Sequence, residues 1–247
     1  MIRRREFLWT PAAFFFQNAL AAQALPPADL RARCVVFPRA YTCCPQPAMA
    51  GRALEKGIFP HALTPQGTKD DTSLISLSGL PGITVFTSAT GDGTDSPFEK
   101  SVRVPLAIYA PGLLAPRTAD EILISTVDLA PTLLGLRGRP IPERVQGRDL
   151  SGLLLGRNRL LPDAVYIEGG EGTGEEWRAV IRGYDKLVMD LHGEVTHLYN
   201  LADDPMEAID LAEEPSAQLT RDALVALIRV WQRSVNDGID PYGLRRR

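Results

Sequence analysis

The sequence is poor in the residues from which many binding and redox sites are built. Its 247 residues include 3 cysteines and 3 histidines, and 27 basic against 30 acidic side chains give a formal net charge of -3. Three cysteines are too few for a disulfide framework, and this charge balance provides no basic field to gather nucleic-acid phosphates. No apolar run reaches the roughly 18 residues that cross a membrane. We therefore expect no nucleic-acid partner and no membrane span, and the sequence identifies no protein partner.

The first 24 residues have the composition of a bacterial export signal. Arg3–Arg5 begin it, a mostly apolar stretch follows from residue 8 to 20, and Ala22–Ala24 (AQA) fits an A-x-A cleavage site. Arg4–Leu8 (RREFL) also fits the twin-arginine pattern. We predict that residues 1–24 are a twin-arginine signal peptide and that the mature protein is periplasmic or secreted. An amphipathic helix with a basic start is the alternative.

In the rest of the chain, the pattern of predicted strands and helices changes near residue 160. Apolar runs at 32–42, 83–88 and 102–109 predict strands, and Pro38 marks a break or a sheet edge in the first of them. Helices are predicted at 48–55 and 125–134. The order of these strands and helices indicates α/β layering. Residues 64–73 are polar and predict a loop. Further on, 165–167, 178–181 and 186–189 predict a small antiparallel sheet, which one amphipathic helix from Leu219 to Trp231 covers.

Several motifs, in the correct order, resemble the sulfatase family of the alkaline-phosphatase-like superfamily. Residues 103–112 (RVPLAIYAPG), 125–134 (STVDLAPTLL) and 146–150 (QGRDL) are similar to R-V-P-L-I-I-x-x-P-G, S-x-V-D-L-A-P-T-L-L and Q-G-x-S-L, and further matches continue through 198–207. The resemblance implies an alkaline-phosphatase-like α/β sheet with helices on both faces, here truncated, in residues 25–160. It also implies a C-terminal α+β subdomain with an antiparallel sheet in residues 161–247.

The family resemblance implies a specific chemistry, sulfuric ester hydrolysis. A cysteine in C-x-P-x-R becomes formylglycine, whose hydrated aldehyde attacks a sulfate ester while a divalent cation, usually calcium, neutralises the ester oxygens. An Asp-Asp pair and the motif T-S-D-H-G hold the cation. In this sequence the strand that would carry the Asp-Asp pair has no counterpart. Thr87–Gly91 (TSATG) stands where the family has T-S-D-H-G. A pocket lysine is also replaced, by Thr94–Ser96 (TDS). We therefore predict no calcium cofactor and no metal ligands.

The nucleophile can be placed in two registers. Matching C-x-P selects Cys43 as the candidate formylglycine position, with Pro47 where the arginine belongs. Anchoring on Gly57–His61 (GIFPH), which resembles the G-R-Y-P-H after the nucleophile helix, puts Pro47 at the nucleophile and Gly51 at the arginine instead. Disulfide pairing of Cys34 with Cys43 or Cys44, or burial as a small apolar side chain, are the alternatives for Cys43.

The remaining acidic residues and histidines predict surface positions. We interpret 203–207 (DDPME) as a solvated turn and Glu168, Glu171, Glu175 and Glu176 as part of a flexible acidic loop. His192 and His197 are expected on the surface of the C-terminal sheet.

Three functions are open at this point. The first, which we favour, is an exported sulfatase-like protein without hydrolase activity. The second is an active sulfatase with a rebuilt site, which would take a small-molecule sulfate ester. The third is a binding or interaction module.

Overall fold

The computed structural model describes residues 25–63, 74, 80 and 82–238. The predicted signal peptide and the predicted loop at 64–73 lie outside the described residues. In the described part of the chain, no helix is both long and apolar enough to cross a membrane.

The first region consists of short helices around a small mixed sheet. In chain order the elements are α1 (Ala28–Arg31), β1 (Val35–Val36), β2 (Ala40–Tyr41), α2 (Pro47–Lys56), β3 (Thr84–Thr87), α3 (Glu99–Val102), β4 (Leu106–Tyr109), β5 (Arg117–Thr118), β6 (Ile124–Ser125), α4 (Leu129–Leu136) and α5 (Ser151–Leu154). The sheet has the strand order β3-β4-β1-β5, with β1 and β5 parallel and the other pairs antiparallel, while β2 and β6 form a separate parallel pair.

Prolines explain where two predicted strands differ from the observed ones. The strand predicted at 32–42 is broken around Pro38 into β1 and β2, which belong to different sheets. The strand predicted at 102–109 is shorter, because Val102 ends α3 and Pro105, which has no N–H to donate to a ladder, immediately precedes β4. The helix predicted at 125–134 is present as a 3-10 turn at Thr126–Asp128 followed by α4.

The second region is a four-stranded antiparallel sheet covered by one helix, as predicted. The elements are β7 (Ala164–Gly169), β8 (Trp177–Arg182), β9 (Asp185–Asp190), β10 (Val195–Asn200) and α6 (Gln218–Val235). The sheet has the order β10-β9-β8-β7, and α6 contacts β8 and β9. The apolar residues that α6 buries are Leu224, Ile228 and Trp231.

The two regions share a hydrophobic cluster and a buried ion pair network. Tyr41, Val102 and Leu123 of the first region pack with Val165 and Ile181 of the second. Beside this cluster the fully buried Nζ of Lys186 on β9 lies 3.2 Å from Glu99 Oε1 and 2.7 Å from Glu207 Oε1. The prediction of a wholly solvated turn at 203–207 is therefore wrong at Glu207, whose side chain is only 4% exposed, because it neutralises a buried cation.

Candidate functional site

The segment around Cys43 lies deep in the structure, immediately before α2. The Cys43 N–H donates to Thr126 Oγ1 at 3.0 Å, and the Cys43 carbonyl accepts from the Glu168 N–H at 2.9 Å. Cys43 is fully buried, and its burial raises the pKa of the thiol to about 12. The side chain is therefore a neutral thiol out of contact with solvent, and a thiol in that state is a poor nucleophile.

The three cysteines are unpaired thiols in the structure. Cys34 packs in a hydrophobic cluster with Ala107 and Tyr109, whereas Cys43 and Cys44 pack together in another with Phe59 and Trp231. The structure therefore does not support the disulfide alternative, and all three cysteines behave as small apolar core residues.

An aspartate covers the N-terminal end of α2. Asp95, in the loop after β3, accepts from Gln46 Nε2 at 2.6 Å and from the Gly170 N–H at 3.0 and 3.1 Å. Gln46 is the residue before the first turn of α2, and Gly170 follows β7. Asp95 belongs to the Thr94–Ser96 segment that stands where the family resemblance leads us to expect a lysine. An acidic side chain therefore lies beside Gln46, the residue that precedes α2.

The loop after β3 is packed against α3 rather than open. The Gly91 N–H donates to the Ser101 carbonyl at 2.8 Å, and a Cβ at Gly91 would lie 2.1 Å from the Lys100 carbonyl oxygen. Thr90 is buried, and Asp92 accepts from Thr94 Oγ1 at 2.6 Å. That hydrogen bond is the main reason why the pKa of Asp92 is lowered. The Asp92 carboxylate therefore stabilises its own loop.

Two of the sequence motifs meet at the C-terminal end of α2. Gln146 Oε1 accepts from the Phe59 N–H at 2.7 Å, and the N–H groups of Gln146 and Gly147 both donate to the Gly57 carbonyl. Asp128 accepts from Arg148, through its N–H at 2.8 Å and its Nη2 at 2.8 Å. Residues of the motifs at 125–134 and 146–150 thus contact each other and the C-terminal end of α2.

His61 is the centre of a buried polar cluster that sequence analysis missed. It lies in the 3-10 turn Pro60–Ala62, and its Nδ1 is 2.6 Å from Glu168 Oε1, while its Nε2 is 3.1 Å from the Val235 carbonyl oxygen. Glu168 Oε2 accepts from the His61 N–H at 2.9 Å. Interpreting Glu168 as part of a flexible loop was therefore wrong: it is in β7 and fully buried, because His61 partners it.

An ion pair between Arg178 and Asp237 lies beside His61 and Glu168. Arg178 of β8 donates from Nε to Asp237 Oδ2 at 2.7 Å and from Nη2 to Asp237 Oδ1 at 3.1 Å, and its Nη2 also lies 3.3 Å from Glu171 Oε2. Glu171, Glu175 and Glu176 lie in the loop between β7 and β8, as predicted; Glu175 is exposed, whereas Glu171 contacts Arg178 and Glu176 is buried. The one sequence signal for Glu168 was its position directly after the apolar run 165–167 of a predicted strand.

The composition of this cluster resembles a metal site, but its geometry does not fit one. The candidate ligand atoms of His61, Glu168 and Asp237 lie within 4.8 Å of one another. Both ring nitrogens of His61 already face oxygen acceptors, and both Asp237 oxygens accept from Arg178. A cation there would have to displace a proton from His61 and compete with a guanidinium, so these residues do not fit a metal ion.

The histidines of the C-terminal sheet lie near the surface, as predicted. His192 is exposed, and the side chain of His197 is 33% exposed. His197 Nδ1 pairs with Asp210 Oδ2 at 2.7 Å. Neither is part of the His61 cluster.

The fold indicates the class of protein to which this chain is similar. The mixed α/β architecture with its C-terminal antiparallel sheet is similar to that of a 2-O GAG sulfatase, with a TM-score of 0.58 and 25% identity over 65% of this chain and 38% of that one. Structures of this kind have the alkaline-phosphatase-like fold, as the sequence predicts.

The family follows from the sequence match. Residues 96–233, more than half of the chain, match the family model described as N-sulphoglucosamine sulphohydrolase, C-terminal. The chain belongs to the sulfatase family.

Curated relatives are sulfatases as well, and the chain spans only part of each. The extracellular sulfatase SULF-1 homolog of Drosophila melanogaster is 43% identical over 90 residues, which are 34% of this chain and 8% of that protein. The endo-4-O-sulfatase of Bacteroides thetaiotaomicron is 32% identical over 112 residues, 43% of this chain and 22% of that protein.

Proposed function

We propose that this chain is an exported, sulfatase-like protein that does not hydrolyse sulfate esters. The observation that carries the proposal is the position of Asp95 over the N-terminal end of α2. A sulfate ester is an anion, and its transition state needs positive charge at the ester oxygens. Asp95 instead brings negative charge beside Gln46, the residue that precedes α2, and its hydrogen bonds to Gln46 and Gly170 support this position.

The residues at the second cation-binding position support the same proposal. Calcium takes six to eight oxygen ligands, carboxylates among them. The Thr87–Gly91 segment supplies no carboxylate, and the nearest one in sequence, Asp92, is bound to Thr94. We therefore propose that the chain uses neither calcium nor formylglycine.

The position of α2 supports the register in which Pro47 replaces the nucleophile. Helix α2 begins at Pro47 and is followed directly by Gly57–His61, as the nucleophile helix of the family is by its own motif. Cys43 lies four residues before the helix. The alternative, an active sulfatase with a rebuilt site, needs Cys43 as its formylglycine and a small-molecule sulfate ester as substrate.

The other parts of the proposal rest on sequence patterns. The arginines, apolar block and A-x-A site of residues 1–24 support export to the periplasm or beyond. We also propose that residues 25–160 and 161–247 are two subdomains, joined by the shared cluster around Tyr41 and Val165.

Calcium titration by isothermal calorimetry tests the proposal. The chain should give no more heat than dilution, whereas a calcium-dependent sulfatase measured in parallel should bind one ion. Stoichiometric binding that the Asp92→Asn or Asp95→Asn variant abolishes would contradict the proposal, because it would identify a rebuilt cation site in the loop after β3.

A further inference from the structure

The ring of His61 connects two parts of the chain that are far apart in sequence. Nδ1 lies 2.6 Å from Glu168 Oε1 on β7, and Nε2 lies 3.1 Å from the carbonyl oxygen of Val235, the last residue of α6. A carbonyl oxygen only accepts, so Nε2 must carry a hydrogen. The 2.6 Å contact then needs a second proton, which sits on Nδ1 or on Glu168.

The C-terminal end of α6 makes further polar contacts beside this one. The Val235 carbonyl also accepts from Gln146 Nε2 at 3.0 Å, and the buried Asp237 pairs with Arg178 just beyond the helix. A positive charge beside the last carbonyls of a helix is favourable, because the helix dipole is negative there. When His61 carries both protons, it therefore binds the helix end as a cation and as a hydrogen-bond donor.

We propose that the proton shared by His61 and Glu168 is a pH-sensitive latch, which holds the C-terminal end of α6 against the turn that follows α2. A neutral imidazole has one N–H and can therefore serve only one of its two acceptors. If it keeps the hydrogen on Nδ1 for Glu168, the Nε2 lone pair faces the Val235 carbonyl. If it keeps the hydrogen on Nε2, a lone pair faces the Glu168 carboxylate. The ionised Glu168 carboxylate is the stronger acceptor, so the neutral ring keeps its hydrogen on Nδ1 and loss of the proton breaks the contact with the Val235 carbonyl.

The charges around His61 favour the protonated state. Two acidic side chains face it, Glu168 from β7 and Asp237 from the segment after α6. Arg178 of β8 partly neutralises the charge of Asp237, and Glu171 in turn partly neutralises the charge of Arg178. Burial lowers the pKa of His61, but its hydrogen bond to Glu168 and the charges of Glu168 and Asp237 outweigh burial, so the pKa is raised. The latch is consequently closed below the ordinary histidine pKa of about 6.5 and opens as the pH rises through the higher folded-state value.

Trp231 provides a reporter for the latch. It is one turn before the end of α6, its ring stacks on Tyr166 at 4.8 Å and contacts Phe59 at 5.1 Å, and the His61 ring lies 6.5 Å away. The sequence has 3 tryptophans, so a Trp9→Phe/Trp177→Phe background leaves Trp231 as the only one. If the helix end is released, its emission should shift to longer wavelength.

The experiment follows Trp231 emission from pH about 5.5 to about 9.5, a range that spans histidine titration. We expect a one-proton transition with a midpoint above 6.5 in this background, and its loss when His61→Gln is added. His197→Gln, which removes the histidine paired with Asp210, should leave the transition intact. A transition that survives His61→Gln, or its absence when His61 is present, would overturn the proposal.

Hydrogen exchange on the unsubstituted chain gives a second readout that needs no tryptophan variants. After correction for the intrinsic pH dependence of exchange, protection of residues 231–238 should fall at least tenfold above the transition, while that of β8 stays constant. Equal changes in both segments would contradict the latch. A shift in Trp231 emission on addition of Zn²⁺ at neutral pH, absent in His61→Gln, would also overturn the proposal, because it would make the cluster a metal site.

Discussion

Single glycines decide how closely the motifs of this chain can pack. A Cβ at Gly147 would lie 2.1 Å from the carbonyl oxygen of Val127, so the motif at 146–150 can approach the 3-10 turn before α4 only without a side chain. The approach lets the Gln146 and Gly147 N–H groups reach the Gly57 carbonyl. Gly147 therefore allows the two backbone segments to pack closely.

We predict that Gly147→Ala lowers the free energy of unfolding by about 1–3 kcal/mol, the usual cost of overpacking. Gly152→Ala in α5 is the matched control. A Cβ there would meet only Asn158 Cβ, at 3.5 Å, so stability should be unchanged or higher by up to about 1 kcal/mol. Urea denaturation followed by circular dichroism measures both. Equal effects in the two variants would show that the approach to Val127 is not limiting.

At the scale of elements, α6 packs an apolar face against the C-terminal sheet. Ile228 is fully buried in the cluster that includes Val180, Leu187 and Leu198, whereas Val230 on the opposite side of the helix is 54% exposed. Helical periodicity in the sequence predicts this helix and most of its buried face, because each depends on residues three or four apart. Leu219, which was expected on that face, is 86% exposed.

Truncating Ile228 and truncating Val230 should therefore have very different effects on the free energy of unfolding. We predict that Ile228→Ala lowers the free energy of unfolding by about 2–5 kcal/mol, since it removes buried methyl groups and leaves a cavity. Val230→Ala should change it by less than about 0.5 kcal/mol. Comparable losses in both, measured by thermal and urea unfolding, would mean that α6 is packed differently.

Contacts between distant elements are the part that the sequence could not predict. The strands at 164–190 and the helix at 218–235 follow from local patterns of apolar residues. The burial of Glu168 does not, because its partner His61 is 107 residues away and an isolated acidic residue after a strand is usually solvated. The same holds for Glu207, which is buried only because Lys186 and Glu99 meet it across the structure.

At the scale of the whole molecule, Lys186 ties the two regions together. Its fully buried ammonium group bridges Glu99 on α3 and Glu207 beyond β10. The Glu207 carboxylate also accepts from the Glu99 N–H at 2.7 Å, and the Tyr41 hydroxyl donates to Glu99 at 3.3 Å. Removing the cation leaves two carboxylates facing each other in the interior.

We predict that Lys186→Ala lowers the free energy of unfolding by about 3–5 kcal/mol, as expected when one partner of a buried ion pair is lost. The triple variant Lys186→Met/Glu99→Gln/Glu207→Gln, which removes all three charges, should recover part of the loss. Exposed Lys100→Ala is the control and should have little effect, since its pair with Asp92 spans 3.7 Å at the surface. Failure of the triple variant to recover any stability would show that the charges are not the cause.

The central claim concerns catalysis, and turnover of an aryl sulfate by the purified chain in the presence of calcium tests it most directly. The parent chain and the Cys43→Ala variant should both match the buffer blank, as the proposed function requires, because Asp95 adds negative charge beside Gln46 and Thr87–Gly91 supplies no carboxylate. An active sulfatase assayed alongside controls for the conditions. Turnover by the parent that Cys43→Ala abolishes would contradict the account, because it would show a rebuilt site with Cys43 as its formylglycine precursor.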